Sequence, residues 1–196
     1  MILATHAIFT TYGFWLPNEQ RGSWLDFVRN WELYQFGPAT KVTTRRSVAH
    51  QPYDRDLKNR QQAALQYDPV TFTGEQALAV AMGFKKAIEE SRYTLFACSI
   101  LPAHVHLVFQ RHAHRAEQIV GHLKGRATRM LTEKGLHPFA AQRDATGQLP
   151  SVWTRRAWTV FLNDESAMLR AIEYVEQNPI REGLPPQTWS FVTSYR

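Results

Sequence analysis

His104 and His106 sit two residues apart inside the short apolar run Leu101-Pro-Ala-His-Val-His-Leu-Val-Phe109. On a strand, side chains alternate between faces, so His104, His106 and Val108 share one face while Val105, Leu107 and Phe109 share the other. Two imidazoles on one face make half a metal site, and the apolar trio is free to pack on helices behind it. A second group lies further on, in Ala171-Ile-Glu-Tyr174-Val-Glu-Gln-Asn178-Pro179. At helical spacing, Met168, Leu169, Ile172 and Val175 form an apolar stripe, whereas Tyr174 and Asn178 stand one turn apart on a different face. A phenol held off the core is a candidate nucleophile, and an amide beside it a candidate ligand. Each feature also has a plain alternative: two incidental histidines, a ring capping a helix edge, and an asparagine that ends a helix before a proline.

The elements that must bring these groups together follow from periodicity and punctuation. The pattern predicts strand Ile2–Tyr12, a long irregular region, helix Glu75–Ser91, strand Tyr93–Ile100 and strand His104–Gln110. Helix Arg115–Lys134, a loop, strand Val152–Leu162 and helix Asp164–Gln177 complete it. Asn163 or Asp164 is the N-cap of the last helix, with Pro179 and Gly183 as stop signals. The order is β-α-β-β-α-β-α. Its first six elements give an α+β fold, the ferredoxin-like split βαβ antiparallel sheet, and the added C-terminal helix carries the tyrosine.

Composition narrows the class of partner. The 196 residues hold 23 Lys and Arg against 17 Asp and Glu, a net charge of +6 and a pI of about 9.7, which suits a polyanion. The segment 111–134 concentrates that charge in Arg111, Arg115, Lys124, Arg126, Arg129 and Lys134, against Glu117 and Glu133. Ile119, Leu123, Met130 and Leu131 give the same segment an apolar stripe, so it reads as a basic helix beside the histidine strand, or simply as a solvated face. Cys98 is the one cysteine, which excludes an internal disulfide and a cysteine-based zinc site. No secretory leader and no membrane-length apolar run is visible, so the expected place is the cytoplasm.

Together, His104-Val-His106, Tyr174 and Asn178 resemble the single-tyrosine, His-hydrophobe-His transposases of the IS200-like group, most closely the REP-associated tyrosine transposases. Leu123-Lys-Gly followed by arginines is similar to the family's middle helix. Val152-Trp-Thr-Arg-Arg-Ala-Trp158 and Tyr174-Val-Glu-Gln-Asn-Pro-Ile-Arg-Glu-Gly-Leu184 resemble its last strand and tyrosine helix. The likeness covers roughly residues 93–184 and the opening strand. It implies one transposase-like domain over 1–196 with an insertion at about 13–74.

It further implies a metal-dependent endonuclease and strand-transfer enzyme. Tyr174 would be the nucleophile, and Mg²⁺ or Mn²⁺ would be held by His104, His106 and Asn178. The substrate would be single-stranded DNA or a DNA hairpin of the REP type. Breaking a phosphodiester without water needs both a nucleophile and a Lewis acid, and a phenol, mostly protonated at neutral pH, needs the help. Attack would leave a 5′-phosphotyrosine and a free 3′-hydroxyl, so rejoining needs no ATP.

DNA contacts are expected from Lys124, Arg126 and Arg129 on the basic helix and from Arg155 and Arg156. Lys41, Arg45 and Arg46 in the insertion are also expected contacts, where Trp15, Trp24 and Trp31 precede them and Arg55, Lys58 and Arg60 follow. Aromatics interleaved with cations suit unpaired bases, and equally suit an extra lobe packed on the sheet. His6 could approach the histidine pair, although a structural role is the safer expectation. His112, His114, His122 and His137 lack ligand spacing and read as surface residues, while Trp153 and Trp158 read as core or β-edge residues. A domesticated binder of hairpins or single strands that no longer cuts is the alternative. A phosphodiesterase using water is a third reading, and it predicts no covalent adduct. Monomer or homodimer stays open.

Overall fold

The computed structural model describes residues 1–14, 16 and 54–195. Trp15, Trp24, Trp31, Lys41, Arg45 and Arg46 lie outside the described residues. Strand β1 (Ala4–Thr10) is followed by helices α1 (Arg55–Ala63) and α2 (Gly74–Ser91), then strands β2 (Leu95–Ile100) and β3 (His104–Gln110). Helix α3 (Ala116–Glu133), strand β4 (Trp158–Leu162) and helix α4 (Glu165–Arg181) complete the order. The sheet runs β2-β3-β1-β4 with every pair antiparallel. Each βαβ pair is therefore split by a strand running the other way, as the ferredoxin-like expectation required.

Sheet alternation divides the molecule into two faces. Ala7, Phe9, Cys98, Ile100, Val105, Leu107 and Phe109 are buried in one core cluster with α2 and α3 residues such as Phe84, Ile119, Leu123 and Leu131. Burial pushes the Cys98 thiol pKa up, so it stays protonated. The two helices meet closely at Gly83, where an added Cβ would lie 2.5 Å from the Ala127 Cα. Ala4, Phe96, Val108 and Leu162 belong to a second cluster with Met168, Ala171, Ile172 and Val175 of α4. The expected stripe is thus correct except at Leu169, which is 49% exposed, its place taken by Ala171.

Local signals explain most helix ends. The Thr73 hydroxyl accepts from Gln76 N–H, and the Gln76 side chain accepts from Thr73 N–H, a capping box that opens α2. Asp164 caps α4 by accepting from Ala167 N–H at 2.8 Å, and Gly183, at φ +74°, follows its end. Pro179 is no stop: it lies inside α4, which continues to Arg181, so Asn178 is interior and not a cap. A proline this near the C-terminus forfeits one intrahelical bond, whereas Gly183 turns the chain.

Three other expectations need correction. The region before the first long helix is not irregular throughout: α1 occupies Arg55–Ala63, capped by Asp54, and Val70 and Phe72 are buried in the core. The strand expected from Val152 begins at Trp158; before it, Trp153 forms an isolated bridge to Thr11 and is buried against Phe9 and Phe72. The basic helix α3 packs on the apolar face of the sheet, opposite the histidines. The C-terminal segment also has a definite place along β2. The Gln187 side chain accepts from Ile100 N–H and donates to Ile100 C=O, each at 2.8 Å. Further along, Thr193 N–H donates to Leu95 C=O. Among the described residues no helix is long and apolar enough to cross a membrane.

Candidate active site

The β1–β3 register pairs Thr10 with His104, Ile8 with His106 and His6 with Val108. His6 therefore lies diagonally across from His106 on the same face, within reach of it. The rings of His104 and His106 are 5.0 Å apart between centroids, and His6 Nε2 lies 3.3 Å from His106 Nδ1. Helix α4 lies across this face, and the Tyr174 ring stands edge-on to His106 at 5.6 Å and to His6 at 5.9 Å. Within one chain, the phenol faces its own histidine pair.

Two residues from the last turn of α4 complete the surroundings. The Arg181 guanidinium lies 5.2 Å from the centre of the Tyr174 ring, a cation over a π face. His104 Nε2 is 3.4 Å from a Glu182 carboxylate oxygen. Arg181, seven residues from Tyr174, shares its side of the helix by simple periodicity, so a fuller reading of the stripe would have flagged it.

The electrostatics separate these imidazoles from ordinary surface histidines. Burial lowers the His6 pKa to about 4. Burial lowers that of His106 further, with help from the neighbouring His104 and His6. Both rings are consequently neutral at physiological pH, the form in which imidazole nitrogen offers a lone pair. Asn178 is buried, and its amide nitrogen has no hydrogen-bond partner; the Ser99 hydroxyl, also unpartnered, belongs to the residue paired with His106 across β2–β3. Buried polar groups are normally satisfied; His137 Nε2 and Trp189 Nε1 are also without partners elsewhere, but the Asn178 and Ser99 groups stand on the α4 face beside the imidazoles, where a polar ligand could complete them. Oxygen and nitrogen of an amide exchange places by a half-turn, so Asn178 can present its oxygen. Neutral imidazole nitrogens and an amide oxygen can together hold a divalent cation, the nitrogens suiting Mn²⁺ better than the harder Mg²⁺. Among the described residues no group of three or more His, Cys, Asp or Glu side chains is arranged to hold a metal, and the expected donor set is not of that composition.

The cations expected to meet DNA fall into different settings. Arg129, Arg155 and Arg156 are exposed. Arg126 makes a two-pronged ion pair with Glu90, both nitrogens 2.7 Å from carboxylate oxygens. Lys124 is buried, its ammonium donating to the Thr154 and Arg156 carbonyls at 2.9 and 3.2 Å and lying over the Phe9 ring. Burial lowers its pKa to about 8. Lys124, Arg155, Arg156 and Trp158 line a cavity of about 580 Å³ together with Glu117 at the start of α3. Trp158 also meets His6 edge-on at 6.1 Å, joining that cavity to the histidine face. Remote from it, the Tyr93 hydroxyl meets both His114 and His122 Nδ1, and His122 Nε2 reaches Glu90, so these histidines form a structured surface cluster.

Residues 63–178 match the family described as "Transposase IS200 like". Over 102 residues, 51% of the chain, the sequence is 26% identical to a Haemophilus influenzae protein named as a REP-associated tyrosine transposase. The chain spans 57% of that relative's length. Among solved structures, one of a REP-associated tyrosine transposase bound to a REP hairpin aligns with a TM-score of 0.48 at 11% identity. That alignment covers 93% of this chain and 70% of the other. A Deinococcus radiodurans protein named as a transposase aligns with a TM-score of 0.43 at 13% identity, covering 94% and 92%.

Proposed function

Because the chain belongs to the IS200-like transposase family, we propose that it cuts and rejoins single-stranded DNA through Tyr174. The observation that carries this reading is the Tyr174 ring 5.6 Å from His106, one helical turn from a buried amide whose nitrogen has no partner. Tyr174 Oη attacks the phosphorus, the bond to the 3′ oxygen breaks, and the departing 3′ oxygen ends with the proton that the phenol gave up. The new 5′-phosphotyrosine conserves the energy of the broken bond, so attack by a 3′-hydroxyl reverses the step and joins strands. Mg²⁺ or Mn²⁺, held by His104, His106 and Asn178, would supply Lewis acidity at the phosphate oxygens.

The protein's own groups do the rest. Arg181 holds the Tyr174 ring by lying over its face and puts a cation within reach of an incoming phosphate. Neutral His6 and His106 keep their nitrogen lone pairs available at the site. Exposed Arg129, Arg155 and Arg156, with Lys41, Arg45 and Arg46 of the insertion, hold the phosphate backbone, which makes binding salt-dependent. Lys124 shapes the Arg155–Arg156 loop by clamping its carbonyls, and Arg126 is held by Glu90. The substrate class is an unpaired strand beside a hairpin repeat, in keeping with the REP association in the name of the H. influenzae relative. Unpaired DNA bends cheaply into line with a tyrosine that is 40% exposed.

The test mixes the protein with labelled single-stranded hairpin oligonucleotides from repeats flanking its gene, with Mg²⁺ or Mn²⁺, on a denaturing gel. A covalent protein–DNA adduct that forms with wild type and not with Tyr174→Phe is the expected result. Cleavage that survives the substitution would assign water as the nucleophile. Tight binding with neither adduct nor cleavage in either metal would assign a domesticated binder.

A further inference from the structure

We propose that His6 positions His106 by accepting its Nδ1–H, which fixes the tautomer that leaves His106 Nε2 as the lone-pair nitrogen facing the site. The inference deepens the reading of His106 as a metal ligand and rests on it for its consequence, though not for its geometry.

The ring centres lie 5.5 Å apart while the facing nitrogens lie 3.3 Å apart, and the planes differ by only 29°. The first distance exceeds the second by about two ring radii, so both nitrogens lie close to the line joining the rings. This is an edge-to-edge hydrogen bond between nearly coplanar imidazoles, and not a stack. Only one proton can occupy it. If His6 donated, His106 Nδ1 would be the acceptor and its Nε2 would carry the proton, removing the lone pair a ligand needs. If His106 donates, Nε2 is free, and His6 keeps its own proton on Nδ1.

The fold makes this contact unavoidable. Pairing of Ile8 with His106 puts His6 diagonally across from it on the same face, and Trp158 and Tyr174 wall the His6 ring on other sides. Ligating histidines usually give their second N–H to a carboxylate, a carbonyl or water. A neutral imidazole in that role orients the ring without lending it negative charge. His106 is thereby held in place but left a weaker donor than a carboxylate-backed histidine, which suits a site that must release product phosphate.

Two measurements test this, the first without metal. Long-range ¹H–¹⁵N correlation spectra of the metal-free protein should show His106 protonated at Nδ1 and bare at Nε2. His6→Gln, whose amide oxygen reaches the position of Nε2, should keep that pattern, and His6→Leu should lose it. In the second, Mn²⁺ binding followed by electron paramagnetic resonance of the free ion should weaken about 10- to 100-fold in His6→Leu and recover in His6→Gln. Wild-type His106 protonated at Nε2 would overturn the proposal whatever the variants do. Where the wild type binds Mn²⁺, equal affinity in the Gln and Leu variants would overturn it too. The expected tautomer in a wild-type protein that binds no Mn²⁺ would uphold the role of His6 and remove the metal reading of the site.

Discussion

The two faces of the sheet obey different rules. Behind it, Phe9, Leu107 and Phe109 interlock with α2 and α3 in a core whose closest helix contact, at Gly83, leaves no room for a methyl group. In front, under α4, the same strands present His6, His104, His106 and Ser99, and the helix adds the buried Asn178. The back face is packed with apolar side chains, with Trp189 Nε1 unpartnered at its margin, while the front keeps the Ser99 hydroxyl and the Asn178 amide nitrogen without partners and two imidazoles stripped of charge. What singles out the front face is that its unpartnered groups lie together with neutral imidazoles and an exposed phenol. The back face sets stability, and the front face sets chemistry.

Substitutions can pull these roles apart. Tyr174→Phe should abolish adduct formation while moving stability by less than about 0.5 kcal/mol, because it removes only a hydroxyl from a ring that is 40% exposed. A large loss of stability in urea unfolding would mean that the ring is structural. Gly83→Val should do the reverse. Its Cβ would meet the α3 backbone, and forcing the helices apart should cost about 3 kcal/mol while Mn²⁺ affinity of the folded protein stays unchanged. Altered affinity in that variant would show the two faces to be coupled.

Acid should find the front face. His6 and His106 have folded pKa values below the ordinary 6.5, so the unfolded chain takes up protons first as pH falls. Their contribution is complete above about pH 6.5 and is lost as pH drops toward 4, a loss on the order of 1–3 kcal/mol. Replacing His6 with Gln should flatten that part of the stability profile, and an unchanged slope would assign the acid sensitivity elsewhere. The smallest effect is expected from Ser99→Ala, which deletes an unpartnered buried hydroxyl and should leave stability within about 0.5 kcal/mol of wild type or slightly above it. A loss of 1 kcal/mol or more would reveal a hydrogen bond to bound water.

Local pattern made some of this plain in the sequence and left other parts hidden. The alternation around His104 and His106 fixed both the strand and its facing, since a strand buried on one side admits one register. The capped start of α4 and the offset of Tyr174 from the apolar stripe were equally visible. His6 was visible only as a histidine that could approach the pair, with a structural role preferred, because its contact depends on the pairing of β1 with β3, about a hundred residues away, and nothing near it marks that partner. Lys124 looked like any cation on a basic helix; only the fold reveals that the Thr154 and Arg156 carbonyls bend back to receive it. Trp153 has the composition of a strand residue, yet tertiary packing against Phe9 and Phe72 takes it out of the ladder. Pro179 misled for the opposite reason, because a general helix breaker is tolerated where few intrahelical bonds remain to be lost.

The double grip of Gln187 on Ile100 has a consequence for how molecules of this protein meet one another. An open strand edge is a template on which another chain can add, and a sheet with two such edges can be extended without end. Here one amide side chain imitates a backbone unit, taking up both the donor and the acceptor of Ile100, and Thr193 N–H takes up the Leu95 carbonyl further along the strand. With β2 closed in this way, lateral joining through β4 would exhaust itself at a pair, and the tail acts as a terminator against polymerisation.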